Sequence, residues 1–153
     1  MDMTTLYTIL IFIHVCSAIL GMGPGFALIY VVKSANTMSE LKHAYAIRNR
    51  LHHFVMMGGM LLLISGLLMG LLNTALFHMG WYVTSLILFL IGLAMGPLVL
   101  ARKSRPVKAL LETYEGDNIP EAYKQLSNEL FKYERLENGI FLIVIALMIL
   151  KPF

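Results

Sequence analysis

The chain has 153 residues, of which 58% are hydrophobic and only 14% charged, and its mean hydropathy is +0.74. A water-soluble domain carries about a quarter charged residues, so an ordinary soluble globular fold is excluded. The formal charge of +3 resides in connecting segments and reports topology, not a nucleic-acid partner, and a single cysteine, Cys16, excludes an intrachain disulfide.

Residues 3–32 contain no Asp, Glu, Lys or Arg. About 20 apolar residues cross the hydrocarbon core of a bilayer, so a first span is predicted over 5–32. No Lys or Arg precedes the run, which is also too long for the apolar part of a cleaved export signal. In its middle stands His14. An ionisable group at membrane depth is costly to bury and marks a functional site by default. Ala18, Gly21 and Gly25 follow it at i+4, i+7 and i+11, on one stripe of a helix. A histidine above a groove of Ala and Gly suits a porphyrin plane and a metal-ligating role. The same stripe equally lets a neighbouring helix press against this one, with His14 hydrogen-bonding across or carrying a proton. Gly23, Pro24 and Gly25 are expected to kink or loosen the span. Cys16 lies two residues from His14, hence on another side of the helix, and reads as a packing residue.

The next segment carries Lys33, Lys42, Arg48 and Arg50. Within it, Thr37-Met38-Ser39-Glu40 has the form of a capping box. A helix is predicted from Met38 through His52 and His53 into a second span, 52–72. His14 lies roughly 27 Å above Val32 at about 1.5 Å per residue, whereas these two histidines lie at the inner end of span two, so neither should reach the same iron. Met69, near the outer end of span two, is closer to the level of His14 and is a candidate second ligand. A His–Met pair favours reduced iron.

Residues 73–80 are uncharged and include His78, which could fold inward. Trp81 and Tyr82 open a third span, 81–101, as interfacial aromatics. Arg102, Lys103, Arg105 and Lys108 follow it, then a turn at 115–118. Asn118-Ile119-Pro120-Glu121 offers a cap, a first-turn proline and an acid on the helix dipole. From there a helix of roughly 45 Å can run to Leu150, with a fourth span over 131–150. Glu134 and Glu137, three apart, fall near its inner boundary at a depth compatible with His52 and His53. These four could hold a divalent ion or relay protons, or could pair and snorkel as interfacial charges.

By the positive-inside rule both basic connections face the cytoplasm and both termini face out. The pattern predicts an all-α integral membrane four-helix bundle, a single domain, with helices two and four extended into the cytoplasm. The small-residue pairs Gly21/Gly25, Gly66/Gly70 and Gly92/Gly96 permit close packing within the bundle or in a homodimer. No C-x-x-C, H-E-x-x-H, C-x-x-C-H or P-loop motif is present.

The stretch from His14 through Ala18, Gly21, Gly23, Pro24 and Gly25 to Phe26 resembles the first-helix signature of a widespread group of small bacterial membrane proteins. Ser65-Gly66 in span two, Trp81 opening span three and Arg102-Lys103 closing it fit the same pattern. That group, largely a domain of unknown function, is similar to the CopD copper-resistance membrane domain and to the HemJ type of protoporphyrinogen oxidase. The resemblance implies a four-helix bundle in the bacterial cytoplasmic membrane, able to pair as a homodimer, with His14 as axial ligand of a non-covalent haem b. HemJ relatives also use a lysine in the third span; residues 83–100 contain none, and Lys103 lies beyond them. The reading that results is haem b binding for electron transfer or haem handling. A non-enzymatic subunit of a larger membrane complex, or a small permease, is the alternative, and a HemJ-like oxidase the third.

Overall fold

The computed structural model describes residues 2–153. Among these, 89% are helical and none lies in a strand. Helix α1 (Met3–Lys33) begins where the Asp2 carboxylate accepts the Thr5 N–H at 3.0 Å, satisfying one of the donors that a helix start leaves unpaired. It continues through Pro24 without breaking; the proline removes one hydrogen bond from a long ladder.

Helix α2 (Met38–Leu72) starts as the capping box predicts. Thr37 Oγ1 accepts the Glu40 N–H at 3.2 Å. The Glu40 carboxylate reaches back to the Asn36 N–H at 2.8 Å, one residue before the cap itself. A short 3₁₀ turn, Thr74–His78, leads to α3 (Gly80–Met95). The sequence alone gives one plain helix across 81–101. Instead a π-helical turn, Gly96–Leu100, joins α3 to α4 (Ala101–Thr113), with the Ala101 N–H bonded to the Gly96 carbonyl. Pro97, inside this turn, lacks an N–H and its ring would crowd the Leu93 carbonyl of a regular α-helix, and a widened turn accommodates it. Helix α5 (Glu121–Leu150) starts at Glu121, later than a cap at Asn118 would put it, because Pro120 stays extended at its start (φ −70°, ψ 152°).

The α1 and α2 backbones meet at Gly21, Gly58 and Gly59. A Cβ built on Gly21 would stand 2.7 Å from the Gly59 nitrogen and 2.9 Å from the Gly58 carbonyl carbon. α5 packs along α3, where the Phe141 ring fills the space beside Gly92. Met22, Leu62, Phe89 and Val144, one from each of α1, α2, α3 and α5, are buried together at the centre of the apolar region. The most buried cluster lies elsewhere, at the basic end. Val32, Met38, Leu41, Tyr45, Val107, Leu111, Tyr123, Leu130 and Phe131 close on one another there, away from the apolar middle of the helices.

Among the described residues, three stretches are long and apolar enough to cross a membrane: Met3–Lys33, Met38–Leu72 and Gly80–Thr113. α5 falls short of that measure, since Glu134, Arg135 and Glu137 leave only residues 138–150 uncharged. Trp81 and Tyr82, at the start of α3, are buried against the rest of the chain. The Trp81 N–H donates to the Phe153 carbonyl at 2.9 Å. Lys151, left-handed at φ 46°, sets its ammonium 5.3 Å from the centre of the Trp81 ring.

Candidate functional site

His14 is half-buried on the side of α1 that faces α2. Its Nδ1 lies 2.9 Å from Ser65 Oγ. The Ser65 hydroxyl is also 2.7 Å from the Leu61 carbonyl and 3.1 Å from that of Leu62. Carbonyls only accept, so the single hydroxyl proton goes to them, and Ser65 Oγ accepts from an Nδ1–H of His14. Nε2 then carries the lone pair. Gly66 makes room for the ring: a Cβ there would stand 3.2 Å from His14 Cε1. The Tyr82 hydroxyl donates to the Gly66 carbonyl at 2.9 Å, which ties α3 to the same level of α2.

Beside this histidine lies a cavity of about 430 Å³, walled by α1, α2, α3 and α5. Its lining is apolar except for His14, Tyr82 and Ser85. Val15 and Ile19 on α1 and Ile149 on α5 line it while remaining 52%, 65% and 73% exposed, so they form its mouth on the apolar flank of the molecule. Ser85 is fully buried and its hydroxyl has no hydrogen-bond partner among the described residues.

The residues singled out in the sequence are distributed unevenly around this cavity. His14 and Ala18 line it. Gly21 is packed against Gly58 and Gly59, and Gly25 lies against Asn138, whose side-chain amide donates to the Gly25 carbonyl at 3.1 Å. Those two glycines therefore serve helix packing and do not line the cavity, whereas Gly23 and Gly66 do. Met69 packs against the Leu76, Trp81 and Tyr82 cluster and is not among the lining residues. His78 is exposed in the 3₁₀ turn and does not fold inward. Ser85 and Met148, both in the lining, carried no signal that sequence reasoning could isolate.

The second constellation does not converge. His52 and His53 are exposed, and Glu134 is buried in an ion pair with Arg48. Among the described residues no three or more His, Cys, Asp or Glu side chains gather closely enough to hold a metal ion. The pairing reading of these interfacial charges therefore describes Glu134. Arg48 lies 5.5 Å from the Tyr45 ring centre, and one of its guanidinium nitrogens, Nη1, is buried without a partner among the described residues.

The model of the predicted integral membrane protein family DUF2269 matches residues 8–152, nearly the whole chain. The chain belongs to this family. Neither the comparison with curated proteins nor that with solved structures yields a match. In this DUF2269 member the matched region contains every element that builds the cavity, from His14 on α1 to Ile149 on α5.

The chemistry of the lining can be tested against the haem expectation. One neutral imidazole nitrogen is available for iron, held by a hydrogen bond at the other nitrogen, as ligating histidines commonly are. The volume lies within the roughly 300–1,000 Å³ of small-molecule sites. No Lys or Arg lines the cavity, so the carboxylate groups of a haem would have to lie outside it. The donor set fits.

Proposed function

We propose that this protein binds a b-type haem within the bilayer, with His14 as an axial ligand, for electron transfer or haem handling. The observation that carries this reading is His14 beside the apolar cavity with Nδ1 held by Ser65, which leaves Nε2 for a ligand. When bound, haem supplies the one-electron chemistry. The chain orients His14 through Ser65, supplies close walls at Ala18, Gly23 and Gly66, and excludes water with the side chains of Phe26, Leu62 and Phe89.

The reading takes four crossings. α5 supports the fourth: Glu134 is paired with Arg48, Asn138 bonds to Gly25, and the exposed residues beyond them include Leu142, Ile143 and Ile149. It also takes the basic end as cytoplasmic, with α2, α4 and α5 projecting there and both termini outside, in a bacterial cytoplasmic membrane. A homodimer belongs to the same proposal. Among the paired glycines, Gly21, Gly25, Gly66, Gly70 and Gly92 are occupied within the chain, so a dimer contact on these pairs would use Gly96, where an added Cβ would meet nothing within 4 Å. The missing third-span lysine keeps HemJ-type oxidase activity out of the proposal.

The test is an ultraviolet–visible spectrum of purified protein, oxidised and dithionite-reduced, beside His14→Ala. A Soret band with sharpened reduced bands, lost in the variant, is the expected result. A protein that stays colourless after haem is added would overturn it, and leave a membrane subunit or small permease as the better account.

A further inference from the structure

We infer that Met148 on α5 supplies the second axial ligand, opposite His14. This rests on the haem reading above. A thioether that shares an iron with His14 must line the same cavity, lie at the same depth and come from a position that can face the imidazole. The lining contains two methionines, Met22 and Met148. Met22 sits eight residues after His14 on the same helix, about 12 Å further along the axis, and cannot oppose it across one iron. Met148 comes from another helix, and a chain of contacts fixes its level. His14 bonds to Ser65 and abuts Gly66; the Gly66 carbonyl accepts from Tyr82; Met148 packs against the buried cluster of Leu76, Trp81 and Tyr82. Met148 also packs against the cluster of Met22, Leu62, Phe89 and Val144 that walls the cavity below.

Met69 belongs to the first of these clusters but not to the cavity lining, and this separates the two candidates. Met148 is half-buried, and an unbranched thioether can reposition its sulfur with little loss of packing. Histidine with methionine stabilises reduced iron and raises its potential relative to ligation without the sulfur.

The experiment uses the full chain in nanodiscs loaded with haem b, comparing the parent with Met148→Leu, Met69→Leu and Met148→His. The parent should give a six-coordinate, low-spin spectrum, and its reduced form the strongly upfield-shifted methyl resonance of an iron-bound methionine in proton NMR. Met148→Leu conserves volume and should turn the haem five-coordinate and high-spin, open it to carbon monoxide and lower the midpoint potential. Met69→Leu, at a methionine outside the lining, should leave all of these at parent values. Met148→His should restore a low-spin spectrum at a potential below the parent's, which also shows that the fold tolerates change at this position. If haem is bound and lost with His14→Ala, yet Met148→Leu keeps the parent's spectrum and potential or the methyl resonance is absent, the Met148 assignment fails and the haem reading stands. If the parent binds no haem, both fail.

Discussion

Two buried serines, Ser65 behind His14 and Ser85 in the cavity wall, have opposite consequences. Ser65 fixes the tautomer of His14, so Ser65→Ala leaves the imidazole free to turn and its Nδ1–H without an acceptor. Loss of such a partner commonly weakens metal binding about 10–100-fold, and haem titration in nanodiscs should show a fall of that order. Ser85 presents a buried hydroxyl with no partner among the described residues. Unmade hydrogen bonds of this kind cost about 1–3 kcal/mol, so Ser85→Ala should leave thermal stability unchanged or raise it. A fall in melting temperature with Ser85→Ala would mean that the hydroxyl has a partner in the membrane-embedded protein. His14 was legible in the sequence because an ionisable group in an uncharged run stands out. Ser65 was legible only as part of a resemblance, since its partner is 51 positions away. Met148 was hidden among eleven methionines, where only the third dimension separates a ligand from a filler.

Helix α1 crosses α2 on three glycines, but the two adjacent ones on α2 are not equivalent. A Cβ on Gly58 would press into the α1 backbone at Gly21 and Leu20, whereas one on Gly59 would meet only Leu93 Cδ1 at 3.6 Å. Gly58→Ala forces two backbones apart and should cost about 1–3 kcal/mol, as overpacking does. Gly59→Ala makes an ordinary contact and should stay within about 0.5 kcal/mol. Thermal unfolding of the two variants in one detergent checks the contrast, and equal losses would contradict the crossing. The helices themselves were readable from capping and hydropathy: Thr37 caps α2 where its motif predicts. The crossing was not, because Gly21 and Gly25 look like one motif in sequence while their partners, on α2 and α5, lie far along the chain. The π turn at Pro97 was likewise unseen, since a proline in an apolar run signals disturbance but not its form.

Over the whole molecule, the most buried cluster is at the basic end, where the apolar spans run out. Tyr45 and Tyr123 meet edge to face there, their ring centres 6.3 Å apart. Burial pushes the ionisation of both phenols up, and for Tyr45 the Tyr123 hydroxyl adds to the rise. A phenol whose proton is held more tightly in the folded than in the unfolded chain stabilises the fold below its ordinary pKa of about 10, and that contribution is lost as pH climbs above it. Stability should therefore be flat with respect to these groups at neutral pH and drop above about pH 10. Tyr45→Phe, which cannot ionise, should shallow the drop; chemical unfolding from about pH 8 to about pH 11, spanning the ordinary phenol range, measures it, and an unchanged slope would exclude Tyr45 as its source. Four apolar blocks made the membrane character readable in the sequence. This second core was not, because its members are scattered among lysines and glutamates in four separate segments, where each reads as a stray apolar residue.

The mouth between Val15, Ile19 and Ile149 sets the terms on which anything reaches His14. With α5 as the proposed fourth crossing, those side chains stand on helix flanks within hydrocarbon, and the cavity then exchanges its contents with lipid and not with water. Occupancy then follows the mole fraction of ligand dissolved in the surrounding membrane. Encounter becomes a search in two dimensions at fixed depth, and acyl chains or detergent tails compete for the same space. An affinity measured in micelles will accordingly change with the amount of detergent present, at constant protein and constant total ligand.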